Sequence, residues 1–285
     1  MEVIWDLWPA LATTFGLFLL VGFFAQLVDG AVGMAYGVIS SSVLLAFGVA
    51  PAQASATIHA AECFTTGASG ASHFMHRNID WRLFWRLAPA GVLGGVVGAY
   101  LLTGFDPTFI KAVVIAYLGC LGVYMLARAV RGLKEEPPHL NHVIPTGLVG
   151  GFLDASGGGG WGPIVASTLL GRGHTPRYVI GSVNAAEFVV TIAISATFLW
   201  ALLTGRFEIE GGVFTAAAAL AGLILGGLFA APLAGYITKV APARWLLGAA
   251  AVLVMGLSIW QGMQLWPRLL EYPIFKDMID LARLR

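Results

Sequence analysis

The chain contains the same turn twice. A gapless shift of 125 residues lays Asp29–Gly37 over Asp154–Gly162. The match continues through Leu44/Leu169, Gly48/Gly173, Pro51/Pro176, Ala60-Ala61-Glu62 over Ala185-Ala186-Glu187, and Thr66/Thr191. Leucines and glycines coincide by chance in apolar sequence. Two acids, a proline and three glycines in one register do not, so the chain reads as an internal duplication.

The second copy, Asp154-Ala-Ser-Gly-Gly-Gly-Gly-Trp-Gly162, lies between apolar runs at 143–153 and 163–171. Each run is too short to cross a bilayer alone, which takes ~20 residues. The pattern predicts a hairpin that enters the membrane and turns at its glycines. Irregular backbone survives at that depth only when buried in protein or lining a watery cavity. A helix starting there aims unpaired N–H groups and its positive dipole end into the cavity. That is the geometry of a substrate site, and Gly30, Gly33 and Tyr36 in the first copy and Gly157, Gly158, Gly159, Gly160 and Trp161 in the second are its candidate lining.

Composition requires a membrane. The chain is 58% hydrophobic and 11% charged, with a mean hydropathy of +0.82. Soluble domains carry about 25% charged residues. The net charge of +1, with no basic run, excludes a nucleic-acid partner. Cys63 and Cys120 fall in apolar segments and read as small core residues. No basic n-region precedes the first apolar segment, which is therefore expected to be retained.

Apolar segments fall at about 9–28, 32–48, 52–75, 83–104 and 109–131, then 143–153, 157–171, 177–204, 212–238 and 243–265. The polar stretch Arg128–Pro138 divides them, five to each half. The expected organisation is a first membrane repeat at 9–131, a cytoplasmic linker at 132–142, a second repeat at 143–265 and an amphipathic tail at 266–285. Arg77, Arg82 and Arg86, then Arg128, Arg131 and Lys134, then Arg172 and Arg177, then Lys239 and Arg244 mark one side. Excess Lys and Arg place that side in the cytoplasm and both termini opposite. Each half then makes an odd number of crossings, and the second runs opposite to the first. The expected fold is an all-α, polytopic membrane protein of two inverted repeats, each a glycine-turn hairpin plus about three full spans. Segment 9–28 is long enough to cross outright, so the first hairpin is either re-entrant or two spans.

Glu62 and Glu187 each lie ten residues into a spanning segment, near the midplane. Ionisable groups there are functional candidates by default. His59 and Asn184 precede them by three positions and share their helix faces. Each glutamate is a candidate proton carrier; the alternative is a neutral structural acid tying helix to hairpin. Asp29 and Asp154 read as helix caps stabilising the turns. Ser40, Ser41, Ser42, Ser167 and Thr168 either line the cavity or bond back to helix carbonyls.

Other signals carry less. Gly157–Gly162 satisfies G-x-G-x-x-G without a βαβ unit, and no G-x-x-x-x-G-K-[ST] is present. His73 and His76 sit at the membrane edge, and no metal or cofactor is expected. Gly91/Gly95, Gly94/Gly98 and Gly222/Gly226 predict close helix packing. No nucleophile and base form a set, so an enzyme is not indicated.

The paired turns, Pro51/Pro176, His59-Ala-Ala-Glu62 with Asn184-Ala-Ala-Glu187, and Ser72-His73…Asn78-Ile-Asp-Trp81 resemble the TauE/SafE sulfite-exporter family over roughly 12–262. The resemblance implies a bacterial inner-membrane permease for sulfite, thiosulfate, sulfonates or other small anions. The family turn is close to G-x-G-G-G; Gly157–Gly160 fits it, and the first copy departs from it. An oxyanion suits two helix N-termini, yet four carboxylates nearby would repel it. Protonated Glu62 and Glu187, coupling proton to anion, reconcile the two. A cation- or proton-linked carrier and a passive anion channel are the competing readings. The anion, the direction of flux and any homo-oligomer are left open.

Overall fold

The computed structural model describes residues 2–131, 142–171, 176–240 and 243–270. Among them the regular elements are helical: α1 (Glu2–Val32), α2 (Tyr36–Ala46), α3 (Pro51–Met75), α4 (Trp81–Leu102), α5 (Pro107–Arg131) and α6 (Val143–Gly157). A π-helical segment, Trp161–Ala166, runs into the short α7 (Ser167–Gly171), followed by α8 (Pro176–Leu203), α9 (Val213–Val240) and α10 (Ala243–Leu270). The expected linker lies almost wholly outside the described residues, as does the tail beyond Leu270.

Local chemistry sets these boundaries. Pro51, Pro107 and Pro176 each occupy a first helical position, where the missing N–H costs nothing. Asp80 caps α4 through the amides of Arg82 (2.9 Å) and Leu83 (3.4 Å). Asp106 caps α5 through Thr108 and Phe109, both at 3.0 Å. The breaks after α1 and α6 fall at Gly33 (φ 74°) and Gly158 (φ 67°), which correspond under the 125-residue shift. Both need the left-handed conformation that a Cβ disfavours.

Six described helices are long and apolar enough to cross a membrane: Trp8–Gly30, Trp81–Leu102, Pro107–Arg131, Tyr178–Leu203, Val213–Leu233 and Arg244–Leu270. Leu20, Phe24, Leu93, Val97, Val123, Leu199, Phe229 and Val252 are exposed on them, as lipid-facing surfaces require. Cys120 is also exposed, on α5, so it faces outward and is not a core residue. The two hairpins differ in reach. The first arm of one is a helix of 31 residues, whereas α6 has 15.

Helix packing exchanges between the halves. Under the shift α1 corresponds to α6, α3 to α8 and α4 to α9. Helix α1 packs along α9 while α6 packs along α4, and the pair α4–α8 has its counterpart in α9–α3. Helices α3 and α8 pack on each other in opposite directions. Cys63 meets Ser195, Gly67 meets Phe188, Ser69 meets Asn184 and Gly70 meets Ala185. Loops gather in two groups: residues 78–80 lie against the start of α8 through Gly181 and Ser182. At the other end Gln53, at the start of α3, holds Glu210, and Thr103 accepts from Arg206.

Glycine makes the long contacts possible. A Cβ at Gly98 would stand 2.5 Å from the Phe152 carbonyl oxygen, and one at Gly222 would stand 2.6 Å from that of Phe15. Gly94 faces Leu148, Gly151 faces Gly91 and Gly226 faces Leu19 in the same way. Without a hydrophobic drive between helices in lipid, this backbone-to-backbone fit holds the pairs together. Gly98→Ala is accordingly expected to destabilise the protein by about 1–3 kcal/mol through overpacking. Gly16→Ala, where a Cβ meets nothing within 4 Å, should be neutral or stabilising by up to about 1 kcal/mol. Thermal unfolding in detergent compares the two; equal melting temperatures would show that the α4–α6 contact does not limit stability.

Candidate functional site

The two glycine turns touch. A Cβ at Gly37 would lie 2.8 Å from both the Gly158 carbonyl oxygen and the Gly159 Cα; one at Gly162 would lie 2.7 Å from the Met34 Cα and 3.1 Å from the Gly33 carbonyl oxygen. Under the 125-residue shift these are one contact made twice, since Gly33 corresponds to Gly158 and Gly37 to Gly162. Ser41 Oγ fastens the turns by donating to the Gly157 carbonyl at 2.6 Å, and Tyr117 by donating to that of Gly159 at 3.2 Å.

Each turn is held by its aspartate in the same way. Asp29 Oδ1 accepts from the amides of Ala35 (2.8 Å) and Tyr36 (3.3 Å). Asp154 Oδ1 accepts from Gly160 (2.7 Å) and Trp161 (3.0 Å), the equivalent pair. The aspartates belong to the last turns of α1 and α6, so they cap the following helix from across the break and not from the residue just before it. The first amides of each new helix are thus already occupied. Gly37, Val38 and Gly162 supply the first-turn amides that the carboxylates do not take.

A cavity opens where the turns meet α3 and α8. Its wall contains Asp29, Ala35, Gly37, Val38 and Glu62 together with their counterparts Asp154, Gly160, Gly162, Pro163 and Glu187. Tyr36, Gly159 and Asn184 complete the predicted part of the lining, and Gln26, Thr65, Thr66 and Ser69 join it. No Lys or Arg is among the wall residues. The cavity's volume is about 20 Å³, room for roughly one water molecule.

The remaining candidates stand behind this wall. Gly30 is exposed, and Gly33 and Gly158 provide the backbone breaks. Gly157 packs against the Tyr117 ring. Trp161 is fully buried, its ring tip against Gly91 and its Nε1 donating to the Val183 carbonyl at 3.2 Å. It packs helices, unlike Tyr36, which reaches the cavity and donates to the Leu223 carbonyl at 3.0 Å. Ser40 and Ser42 are buried outside the wall, and Ser167 bonds to Arg128 and contacts Met34 Sδ at 3.4 Å.

The two halves differ at one polar position. His59 Nε2 stands 3.2 Å from Asp154 Oδ2, while its counterpart Asn184 accepts from Ser69 and donates to the Ile180 carbonyl. Glu62 is 4% exposed and its Oε2 has no hydrogen-bond partner; Glu187 is less deeply enclosed.

The profile of the sulfite exporter TauE/SafE family matches residues 18–260. This chain belongs to that family. Among curated proteins, the probable membrane transporter protein YtnM of Bacillus subtilis (strain 168) is 39% identical over 231 residues, covering 78% of this chain and 74% of the relative. No solved structure matches the chain. This TauE/SafE member is therefore a multi-pass membrane protein of a transporter family, as the resemblance implied, and the cavity lies within the matched region.

The Asp154 carboxylate serves two amides and faces His59 Nε2 across whatever proton or cation lies between them, whereas Asp29 has only the two amides among these bonds. Leaving a buried donor without a partner costs about 1–3 kcal/mol. Asp154→Ala should therefore lower the unfolding free energy by about 3 kcal/mol or more, and Asp29→Ala by less. Denaturation in detergent tests the ranking, and a larger loss at Asp29 would overturn it.

Proposed function

We propose that the protein is a secondary transporter of a small sulfur-containing anion, such as sulfite, thiosulfate or a sulfonate, exported by alternating access with proton coupling. The observation that carries this reading is the shared cavity: equivalent residues from both halves, including both glutamates, surround one polar chamber where two broken helices meet. The family's name, sulfite exporter, supplies the substrate class. Exchanged packing and the opposed course of α3 and α8 support two repeats of inverted topology, at 9–131 and 143–265. The hairpins would be re-entrant at their tips, with both termini outside the cytoplasm.

The chamber gives the mechanism its constraints. An oxyanion of four heavy atoms needs more room than one water, so loading would require the turns to separate from α3 or α8. Gly37, Val38, Gly162, Thr65 and the second amide hydrogen of Asn184 would donate to the anion, and Tyr36, Thr66 and Ser69 would join them on releasing the Leu223 carbonyl, the Glu62 carbonyl and the Asn184 amide oxygen. Glu62 and Glu187 would carry protons while it is bound, which removes two negative charges from the wall. Asp29 and Asp154 would stay bonded to the backbone amides of the turns. The lining of four carboxylates with no Lys or Arg also favours a second reading, a cation- or proton-linked carrier using the same chamber.

Purified protein in liposomes separates these readings. Sulfite, thiosulfate, sulfoacetate and acetate are offered with and without a pH gradient, and sodium without anion. Saturable anion flux driven by the pH gradient is expected, with Glu62→Gln and Glu187→Gln each slowing it at least about tenfold, or about 1.4 kcal/mol, and flattening its pH dependence. Unchanged pH dependence in both variants would exclude coupling through these residues. Flux of sodium alone would favour the cation reading, and unitary currents a channel.

A further inference from the structure

The His59–Asp154 contact has two acceptors facing each other. His59 Nδ1 lies 2.7 Å from the Ser55 carbonyl oxygen and 3.2 Å from Ser55 Oγ. The carbonyl can only accept, and the Ser55 hydroxyl spends its hydrogen on the Ala155 carbonyl at 2.6 Å. Nδ1 therefore carries the imidazole hydrogen, and in the neutral ring Nε2 presents a lone pair. That lone pair points at Asp154 Oδ2, 3.2 Å away. Oδ1 of the same carboxylate is held by Gly160 and Trp161, so the group cannot turn without losing them. Something positive belongs between these two atoms.

Glu62 supplies the third side. One ligand atom from each of His59, Glu62 and Asp154 lies within 4.8 Å of the others, and all three residues are buried. Oε2 of Glu62 has no partner, the one wall carboxylate oxygen found so enclosed and unused among the described residues. We infer that His59, Glu62 and Asp154 form a binding site for a late first-row divalent cation, of the zinc, cobalt or nickel class, beside the cavity.

Chemistry narrows the ion. An imidazole nitrogen in the set favours these metals over magnesium and calcium, which take oxygen ligands. Bonds of ~2.0 Å at tetrahedral angles put neighbouring ligand atoms ~3.3 Å apart, close to the Nε2–Oδ2 separation. A small inward movement of the Glu62 carboxylate completes the triangle. Two carboxylates and a neutral imidazole balance a divalent charge. The Ser55 carbonyl on Nδ1 is the outer partner that fixes the tautomer of a metal-bound histidine. With three protein ligands the fourth position opens toward the water-sized cavity, since Glu62 and Asp154 belong to its wall. On the anion-transport reading, though the site itself does not depend on it, the metal would offer that position to the anion and offset the carboxylates around it.

The other half lacks this site. Asn184 replaces the histidine and is engaged with Ser69 and Ile180. One metal per chain is the expected stoichiometry.

The experiment is a cobalt titration of the full-length protein in detergent, followed by its visible d–d absorption and by competition with zinc. Saturable binding of one equivalent is expected, with bands of four-coordinate intensity. His59→Asn and Glu62→Gln should each weaken it at least about tenfold. The double variant His73→Asn/His76→Asn, at the exposed end of α3, should leave it unchanged. No saturable binding would overturn the site and leave only a proton between His59 and Asp154. So would unchanged affinity in His59→Asn and Glu62→Gln, or loss in the His73/His76 double variant. Should His59→Asn not fold, Glu62→Gln still decides, because its Oε2 has no hydrogen bond to lose. The readout is independent of flux: failed anion transport would not remove cobalt binding, and absent cobalt binding would not remove anion transport.

Discussion

The architecture depends on two backbones coming closer than any side chain allows. At Gly37 against Gly158 and Gly159, and at Gly162 against Gly33 and Met34, a single Cβ would intrude on main-chain atoms. Such contact needs the helices to break nearby, and Gly33 and Gly158 supply the break with positive φ. A break in low dielectric exposes amides, and Asp29 and Asp154 cover them from the preceding helix. Contact, break and cap are therefore one unit, and the polar cavity is the space that this unit leaves against α3 and α8.

The same requirement explains why the halves cannot be separate bodies. Helix α6 has 15 residues, too few to cross the hydrocarbon core unaided, and its partner along most of its length is α4. On the other side α1 leans on α9, which belongs to the opposite half. Each hairpin is thus held by a helix of its neighbour or by a glycine-lined seam facing it. A movement that parts the turns must carry α4 with α6 or shear that seam. Gly94 and Gly98 make shear costly, because their nearest neighbours are the backbone atoms of Leu148 and Phe152, which have nowhere to yield. The packing makes α4 and α6 one unit.

Much of this was legible in the sequence because it is local or repeated. The duplication, the two breaks, the glutamate helices and the close-packing glycines are all matters of register and spacing. Thr65, Thr66 and Ser69 were within reach too: they follow Glu62 at three, four and seven positions, on one helix face. Gln26 stands three before Asp29 in the same way. Other features depend on contacts that no spacing reveals. Tyr36 and Trp161 occupy equivalent positions, yet one reaches the cavity and the other packs on Gly91. The difference arises from which helix face lies opposite. His59 and Asp154 are 95 residues apart, so their meeting required the hairpin to be placed first. Segment 9–28, read as long enough to cross, lies within α1 and matches the span Trp8–Gly30.

The charge on the cavity wall sets the last constraint. Four carboxylates surround a space of about 20 Å³, and two full charges a few ångströms apart in poorly hydrated surroundings repel by several kcal/mol. Asp29 and Asp154 each accept two amides on one oxygen. Glu62 has one oxygen, Oε2, with no hydrogen-bond partner. On the proposals made above, the compensation would arrive from outside the fold, as a proton or as a metal ion. Either arrival lowers the negative charge next to Gly37, Val38 and Gly162 at the moment a substrate anion would need it lowered. On the anion-transport reading proposed above, cation first and anion second would be the order of binding.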